Sequence, residues 1–346
     1  MKKRRQPSLR FAQVYLVLLA LAALLGDFLA SNHPETQNLE RHFAPPTRIR
    51  FRDAQGGFHW RPFVYGQRLT DPIETLYKED LSDIREIRFF VRGYEYRLFG
   101  LFPSSIHLIG CEADRGLYPW GTDELGRDVL ARVLAGSRTS MLVILVGLLF
   151  YTALGAGIGM LAAVLGRRCD AVLMRLSEFV LALPALYLIL ALRALLPPQT
   201  PYWQAILMIT GTIAAVTWPP MARGVRGLIY QLQETGYVEA ARSLGCSKRW
   251  ILRHHMLPSI LPFITQQALI AAPTFILGEI VLSFLDVGVS SAGSSWGRML
   301  KNLRDPRLLT DFWWNLAPLF LAFLTLLALN LWCSRWRWRG LTRSVL

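Results

Sequence analysis

The sequence has few of the residue patterns through which enzymes carry out chemistry. Its four cysteines form no CxxC pair and no Cys/His spacing typical of a zinc site, so redox and zinc chemistry are not expected. It contains no HExxH motif and no GxxxxGK[ST] loop that would hold the phosphates of ATP. The adjacent His254 and His255 lie in a basic segment, where histidines are ordinarily surface residues. We therefore expect no enzyme activity, no metal and no cofactor in this chain itself.

Charged residues are missing from several long stretches. Hydrophobic residues make up 53% of the 346 residues, and the mean hydropathy is +0.31. A bilayer core of roughly 30 Å is crossed by about 20 residues of apolar helix. Four stretches carry no charged side chain and two more carry one each: residues 11–26, 139–165, 201–222, 312–334, 179–196 and 259–285. The sequence predicts an all-α polytopic membrane protein with six transmembrane helices.

Acidic residues are the minority charge. The chain has 38 lysines and arginines against 24 aspartates and glutamates, a net charge of +14. With six spans, the most basic regions fall on one side of the membrane: residues 1–10, 166–175, 223–258 and 335–346. Basic residues accumulate in cytoplasmic loops, so we predict that both termini are cytoplasmic, and nucleic acid is not needed to explain the charge. The first span is long for a signal peptide and is expected to remain as an anchor.

The polar segment between the first two spans is predicted to be a small extracytoplasmic α/β-type insert. Within residues 31–120, apolar and polar residues partly alternate around Gly93 over residues 84–102, which predicts a small hairpin in this segment. A hairpin with one weak apolar face is not stable alone, so the insert is expected to lean on the membrane domain. A structural cap is favoured over a ligand site.

A glycine-punctuated loop, GTDELGRD, occupies residues 121–128. Thr122 or Asp123 is predicted to be the N-cap of a helix that begins near Glu124. This helix would lie at the outer membrane interface, with the charged residues of the loop as interface anchors. The predicted organisation is a tail and first helix (1–30), the insert with the interfacial helix (31–138), a five-helix core (139–334) and a basic cytoplasmic tail (335–346).

Three features inside the predicted spans concern helix packing. Gly155 and Gly159 are four residues apart on the second span, which indicates a close helix–helix contact. Pro184 is expected to kink the third span. Glu279 is the one acid deep in a span, and such a residue normally faces the bundle interior or a water-filled path. Whether Glu279 is a core polar residue or part of a pathway stays open.

The basic loop at residues 223–258 is predicted to contain two short helices broken near Gly245, where the glycine lets the backbone turn in a place that a β-carbon would obstruct. The apolar residues expected on its surface are Ala240, Ala241, Leu244, Trp250 and Ile251. Two interpretations have equal weight. The loop is either a docking ridge for a cytosolic partner or an amphipathic segment resting on lipid headgroups.

The spacing of small and apolar residues in this loop resembles the EAA loop of ABC importer membrane subunits. The residues that carry the resemblance are Glu239, Ala240, Ala241, Gly245, Leu257 and Pro258. Residues 121–140, DAVLMR at 170–175 and SFLDVGVSSAGSSWGRML at 283–300 are similar to further segments of the dipeptide/oligopeptide permease family. Together the four motifs cover roughly residues 117–300 in the family's order, most like its C-type subunit.

The resemblance implies a permease subunit that forms half of the translocation pathway for peptides or a similar small solute. The implied partners are a second, different permease subunit, two cytosolic ATPase subunits that bind the ATP, an extracytoplasmic solute-binding protein and the bilayer of a bacterial inner membrane. The EAA loop would dock on the ATPases. The implied outer-loop motif consists of Gly121, Asp123, Gly126, Arg127, Asp128, Trp296 and Gly297.

Two departures from the family pattern and two rival functions remain. Asp286 stands where the family usually has glycine, followed by an unusual serine-rich run at residues 290–294, and the C-terminus is basic instead of ending in the family's acidic pattern. A secondary transporter or channel would predict paired ionisable residues in several spans or inverted repeats, and neither is evident. A membrane-anchored enzyme would need a set of catalytic residues.

Overall fold

The computed structural model describes residues 7–98, 100–111, 116–195, 201–285, 293–302 and 307–343. Within these ranges the chain is mostly helical, with one four-stranded region of β-structure. The apolar runs form helices because a helix satisfies its peptide groups within the segment, as hydrocarbon surroundings require. The chain divides into two compact units. The first, which we name the membrane unit, contains residues 142–282 and the two chain ends, and the second, which we name the outer unit after the predicted outer-loop motif, contains residues 13–141 and 283–325. Candidate spans contribute residues to both units.

Four helices are long and apolar enough to cross a bilayer: Leu9–Leu29, Val129–Val164, Lys248–Phe284 and Trp313–Cys333. Two further pairs of helices pass the same test only when joined, and each pair is bent, one by 99° and the other by 53°. The described residues therefore hold four candidate spans, or six if each bent pair is one span. Six is the number that the sequence predicts.

The helices are numbered in chain order. They are α1 (Pro7–Leu29), α2 (Val129–Val164), α3 (Arg167–Ala182), α4 (Ala185–Ala194), α5 (Tyr202–Thr217), α6 (Pro219–Gln233), α7 (Gly236–Ser243), α8 (Lys248–Ile251), α9 (Leu257–Phe284), α10 (Trp296–Lys301), α11 (Arg307–Thr310) and α12 (Ala317–Arg343). Short 3₁₀ turns occupy Leu39–Arg41 and Trp313–Leu316, and a π-helical turn at Leu252–Met256 joins α8 to α9.

The insert is a β-structure, which corrects two predictions. Its strands pair antiparallel in the order β1 (Arg50–Arg52), β2 (Phe58–Asp71), β3 (Leu76–Leu98) and β4 (Phe102–Cys111). The α/β-type insert is therefore wrong for the described residues of this segment, which hold no α-helix between α1 and α2. The small hairpin predicted within residues 84–102 is also wrong, because most of this segment belongs to one strand, β3, which pairs with β4 and has an irregular register between Arg92 and Tyr96.

Gly93 has a packing role that the sequence did not reveal. A β-carbon at Gly93 would lie 2.6 Å from the ring of the buried His107 on β4. The two ring nitrogens of His107 contact the carbonyl oxygens of Asp27 at 2.8 Å and of Tyr94 at 3.1 Å. A glycine inside a strand often marks such a close approach. The histidine joins the sheet to the end of α1, so the insert leans on a helix as expected.

The start of α2 corrects the predicted capping. No helix begins near Glu124. The chain forms a tight loop closed by a bridge between Thr122 and Asp128, and α2 starts at Val129. Asp128 is the N-cap, because its Oδ1 accepts from the backbone N–H of Leu130 at 2.9 Å. The predicted interfacial helix is the first part of this single 36-residue helix.

In the membrane unit, Gly155 and Gly159 form the close contact that their spacing predicts. A β-carbon on Gly155 would lie 2.6 Å from the β-carbon of Met221, and one on Gly159 would lie 2.5 Å from the carbonyl oxygen of Ala222. Helices α2 and α6 thus touch through glycine. Pro184 lies in the two-residue break between α3 and α4, where the 99° bend is far larger than the predicted kink.

We expect Gly159→Ala to destabilise the protein, since the backbone of Ala222 must move to admit the methyl group. Overpacking of this kind costs about 1–3 kcal/mol. Gly157→Ala is the matched control, because nothing lies within 4 Å of its β-carbon position. The measurement is the midpoint of thermal unfolding of each detergent-purified variant. An equal fall in both variants would contradict the close contact.

Candidate functional site

Helix α7 ends in a left-handed turn at Gly245. The N–H of Gly245 donates to the carbonyl of Arg242 at 2.9 Å, and the N–H of Cys246 donates to that of Ala241 at 3.1 Å. These two bonds define a Schellman cap. The φ of Gly245 is +80°, a conformation that costs a residue with a β-carbon about 1–2 kcal/mol. Nothing lies within 4 Å of a β-carbon there, so the obstruction expected from the sequence is wrong and backbone conformation is what requires glycine.

The break at Gly245 confirms the two predicted short helices, but only part of the predicted surface is exposed. Ala241 and Ile251 are buried, so their expected place on the surface is wrong. Ala241 follows the fully buried Val238 by three residues and therefore shares its face of α7. Ala240 is exposed, and Leu244 is 84% exposed.

The exposed Ala240 and Leu244 form what we call the ridge. Trp250 follows the ridge in the chain, on α8, and neighbouring side chains hold it in place. Its backbone N–H donates to the hydroxyl of Ser247, the N-cap of α8, at 3.3 Å. The ring of His254 stacks on the indole with centroids 4.6 Å apart, and the ring of His255 meets it edge-on at 5.2 Å. The indole is still 43% exposed. The adjacent histidines therefore orient an exposed aromatic ring.

A π-helical turn connects this aromatic group to α9. The N–H of Leu257 donates to the carbonyl of Leu252, five residues back. Pro258 follows and has no N–H for the normal bond to residue 254, so the regular hydrogen-bond ladder is already interrupted here. Leu257 is half-buried and Pro258 exposed. Of the candidate loop residues, Leu257 and Pro258 are the ones that begin α9.

We give the name loop face to eight exposed side chains of this segment. They are Glu239, Ala240, Arg242, Leu244, Lys248, Arg249, Trp250 and Arg253. Four of them are basic and one is acidic, so the face is cationic around a protruding leucine and an exposed indole. Such a face fits an acidic surface with an apolar pocket.

The predicted outer-loop motif forms a buried network of charges in the outer unit. Asp123 is its centre: its Oδ2 accepts from Arg127 Nε at 2.8 Å and from Arg132 Nη1 at 2.5 Å. Its Oδ1 accepts from the backbone N–H groups of Leu125 and Arg127, each at 2.9 Å. All three charged side chains are buried. The prediction that these residues anchor the interface is therefore wrong, because they bond inside the protein.

Glu35 extends this network to the segment before α10. Arg127 Nη1 lies 3.5 Å from Glu35 Oε2, and the hydroxyl of Ser294 donates to the other oxygen of Glu35. The carbonyl of Ser294 accepts from the hydroxyl of Thr139 on α2 at 2.8 Å. One polar network therefore joins three segments that are distant in sequence. No sequence pattern identified Glu35 as a member.

The glycines and the tryptophan of the outer motif occupy closely packed positions. Gly121 and Gly126 have φ values of +70° and +69°, and a β-carbon on Gly126 would lie 1.8 Å from the carbonyl oxygen of Asn38. The fully buried Trp296 donates from Nε1 to the carbonyl of Val133 at 3.1 Å. Gly297 is buried beside it in α10. The structure brings the whole predicted motif into the outer unit.

The letters of residues 293–297, GSSWG, match the GxSxG pattern of hydrolases. Ser295 is fully buried, and its hydroxyl accepts from the backbone N–H of Arg298 at 3.3 Å as the N-cap of α10. A hydrolase elbow instead exposes its serine on a turn between a strand and a helix. The match therefore indicates capping and no nucleophile.

Other candidate residues are placed as follows. Glu279 is fully buried in α9, as a residue that faces a bundle interior should be. None of the four cysteines, all of which lie within the described residues, forms a disulfide. Across the parts of the chain that the structure describes, no group of three or more His, Cys, Asp or Glu could hold a metal. Asp286 and most of the serine-rich run lie outside the described residues.

Burial gives Asp128 an unusual titration. It raises the pKa of this N-cap carboxyl to about 6, although Asn32 and the backbone N–H groups of Leu130 and Ala131 donate to it. Between the usual pKa and this raised value, the folded chain keeps a proton that the unfolded chain has released. The free energy of unfolding therefore falls as pH rises through this window.

We expect Asp123→Asn to weaken the outer unit strongly, because it leaves Arg127 and Arg132 buried without their shared carboxylate. Breaking one partner of a buried ion pair costs about 3–5 kcal/mol. Glu124→Gln is the control, since Glu124 is exposed one residue away. Thermal unfolding of the purified variants measures the effect. Equal midpoints for the two variants would rule out a stabilising network.

Asp128→Asn removes the titrating carboxyl and keeps an oxygen for N-capping. The difference in stability between the variant and the wild type is expected to move in the variant's favour as pH rises from about 4 to about 7, by on the order of 2 kcal/mol. Unfolding midpoints across this range test it. A difference that does not change with pH would contradict the raised pKa.

Comparison with known proteins adds to this geometry. Residues 155–336, more than half of the chain, match the family described as "Binding-protein-dependent transport system inner membrane component". The dipeptide transport system permease protein DppC of Bacillus subtilis is 35% identical over 212 residues, 61% of this chain and 64% of that protein. The oligopeptide transport system permease protein OppC of Haemophilus influenzae is 32% identical over 215 residues, 62% and 67% of the two chains.

A solved structure of the MetNI methionine ABC transporter in an inward-facing conformation is also similar, with a TM-score of 0.44 and 17% identity over 59% of this chain and 95% of that one. The sequence relatives are transport-system permeases, which leave ATP hydrolysis to partner subunits. This chain belongs to the family of inner membrane components of binding-protein-dependent transport systems, and it is a multi-pass permease subunit of an ATP-driven importer.

Proposed function

We propose that this subunit forms half of the translocation pathway of a peptide importer in the bacterial inner membrane, with both termini cytoplasmic. The cargo assignment rests on the names of the dipeptide and oligopeptide permease relatives. A second, different permease subunit completes the pathway, two cytosolic ATPase subunits drive it, and a solute-binding protein delivers the cargo from outside. Glu279 contributes a polar group to the buried part of this subunit.

The loop face docks on an ATPase subunit. The observation that carries this proposal is Leu244, which is 84% exposed next to a glycine turn that fixes its direction. Burying a leucine side chain gains about 1.5–3 kcal/mol, and the surrounding cations add electrostatic steering towards an acidic partner. Val238, Ala241 and Ile251 anchor the ridge from inside. The outer motif has a separate role, the positioning of α2 and α10 by buried charges.

The loop proposal predicts that Leu244→Ser weakens the complex with the ATPases by about ten- to a hundred-fold, the equivalent of one buried leucine. Gly245→Arg is expected to act in the same direction, because it strains the turn that aims Leu244. Ser243→Ala changes an exposed neighbour and serves as the control. The measurement is co-purification of the co-expressed ATPase and permease subunits in detergent, with the affinity of the purified ATPase determined for each variant.

Wild-type affinity in Leu244→Ser and Gly245→Arg would disprove docking by this face. Binding of the wild-type chain to vesicles of anionic lipid, lost in the same two variants while the ATPase complex persists, would identify the loop as a lipid-surface element.

A further inference from the structure

An ion pair outside the loop face joins α3 to α6, two helices of the membrane unit. The carboxylate of Asp170, in the first turn of α3, accepts hydrogen bonds from both Nε and Nη2 of Arg226 on α6. The distance from Nη2 to Oδ2 is 2.6 Å. The hydroxyl of Tyr230 donates to the same carboxylate at 3.0 Å, and the guanidinium lies 4.8 Å from the centre of the Tyr230 ring. A bidentate pair of this kind fixes direction as well as distance.

A second contact joins the same helices two turns further along α3. Arg223 Nε donates to the hydroxyl of Ser177 at 3.0 Å, and that serine is fully buried. Asp170 and Ser177 are seven residues apart and share a face of α3, as Arg223, Arg226 and Tyr230 share a face of α6. The earlier residue on α6 contacts the later one on α3, so the two helices run antiparallel.

These contacts divide the basic residues of the loop region into two groups. Arg223 and Arg226 direct their charges at α3, whereas Arg242, Lys248, Arg249 and Arg253 are exposed on the loop face. If the positive-inside bias were the only reason for Arg223 and Arg226, their side chains would lie in water or at the lipid headgroups. Their side chains are instead no more than half exposed, and one of them ends on a carboxylate that is itself 12% exposed.

Helix α6 leads almost directly into the ridge that carries Leu244. Only Glu234 and Thr235 separate α6 from α7, and both donate back to carbonyls of the last turn of α6. The N–H of Val238 in turn donates to Thr235 at 3.0 Å, and Val238 is fully buried. A displacement of α7 would therefore be passed almost directly to α6.

Helix α3 leads in its other direction to the sharper of the two bent helix pairs. It ends at Ala182, and α4 begins at Ala185 after the break at Pro184, with 99° between the two helices. A break with no continuous hydrogen-bond ladder is where a helix pair changes angle at low cost. Movement of α3 as a rigid rod would therefore act on the angle at Pro184.

We propose that Asp170, Arg223, Arg226, Ser177 and Tyr230 form a clamp that transmits movement of the ATPase-docking ridge through α6 to α3 and its bend. This inference rests on the proposed docking function of the loop face. The five residues are positioning residues, because none of them touches ATP or cargo. Their role is to make α3, α6 and α7 move as one body, so that ATP hydrolysis and cargo passage stay in step.

The test uses the full importer reconstituted in vesicles, with peptide uptake and ATP hydrolysis measured on the same sample. Asp170→Asn and Arg226→Gln are expected to raise the ATP consumed per peptide transported by about five-fold or more, the lower range of typical coupling energies. Tyr230→Phe, which removes only the hydroxyl, should give a smaller increase and covers the case in which the charge variants fail to assemble. Arg168→Gln is the control, since Arg168 is an exposed cation on the first turn of α3 and is not one of the five clamp residues.

The reversed pair, Asp170→Arg with Arg226→Asp, should recover part of the wild-type ratio, which a loss of packing alone would not do. The ATPase co-purification assay separates this proposal from docking. Variants that bind the ATPase normally but waste ATP support the clamp. Variants that bind normally and keep the wild-type ratio overturn it while leaving docking intact, and a Leu244→Ser variant that still binds the ATPase overturns docking instead.

Discussion

The absence of water inside a bilayer is the constraint on which most of this structure depends. A peptide group in hydrocarbon must find its hydrogen-bond partner within the protein, so the apolar runs become helices. Three departures from regular helix in the membrane unit occur beside prolines, which have no N–H to donate. Pro184 lies in the 99° bend, Pro219 begins α6 at the 53° bend, and Pro258 follows the π-helical turn. Glycine takes this part at the Gly245 turn between α7 and α8.

Two carboxylates hold cationic side chains against the protein. Asp123 holds Arg127 and Arg132 in the outer unit, and Asp170 holds the partly exposed Arg226 in the membrane unit. Each carboxylate accepts from two side chains on different turns or helices. Desolvation of a charge is tolerable only when such bonds replace the lost water. The pairs therefore give direction to segments that apolar packing alone would leave free to slide.

The loop face shows the opposite arrangement. Its cations and its leucine are exposed, and its shape is fixed by a Schellman cap that needs glycine for its φ and by the contacts that hold Trp250. Rigid support from buried Val238 and Ile251 under an exposed, cationic surface is the combination that a docking element requires. The proposed clamp between α3 and α6 precedes this element in the chain and would connect it to α3 and the bend at Pro184.

Several parts of this account were open to prediction because they depend on neighbours in sequence. The apolar runs, the glycine contact at Gly155 and Gly159, the break at Gly245 and the motifs of an importer permease are of this kind. Capping at Thr122 or Asp123 was wrong because Arg132, nine residues away, takes the Asp123 carboxylate and Asp128 caps α2 instead. The small hairpin within residues 84–102 was wrong because most of this segment pairs as one strand with β4, where Gly93 makes room for His107.

The sequence by itself determined that this is a membrane permease with a broken basic loop, since hydropathy, charge bias and local motifs are written in runs of adjacent residues. Only the tertiary structure decided which side chains of the loop face outward, that Glu35 belongs to the outer network, and that Asp170 meets Arg226 across 56 residues. Those contacts follow from how helices pack against one another, and a single sequence carries no local signal for such pairings.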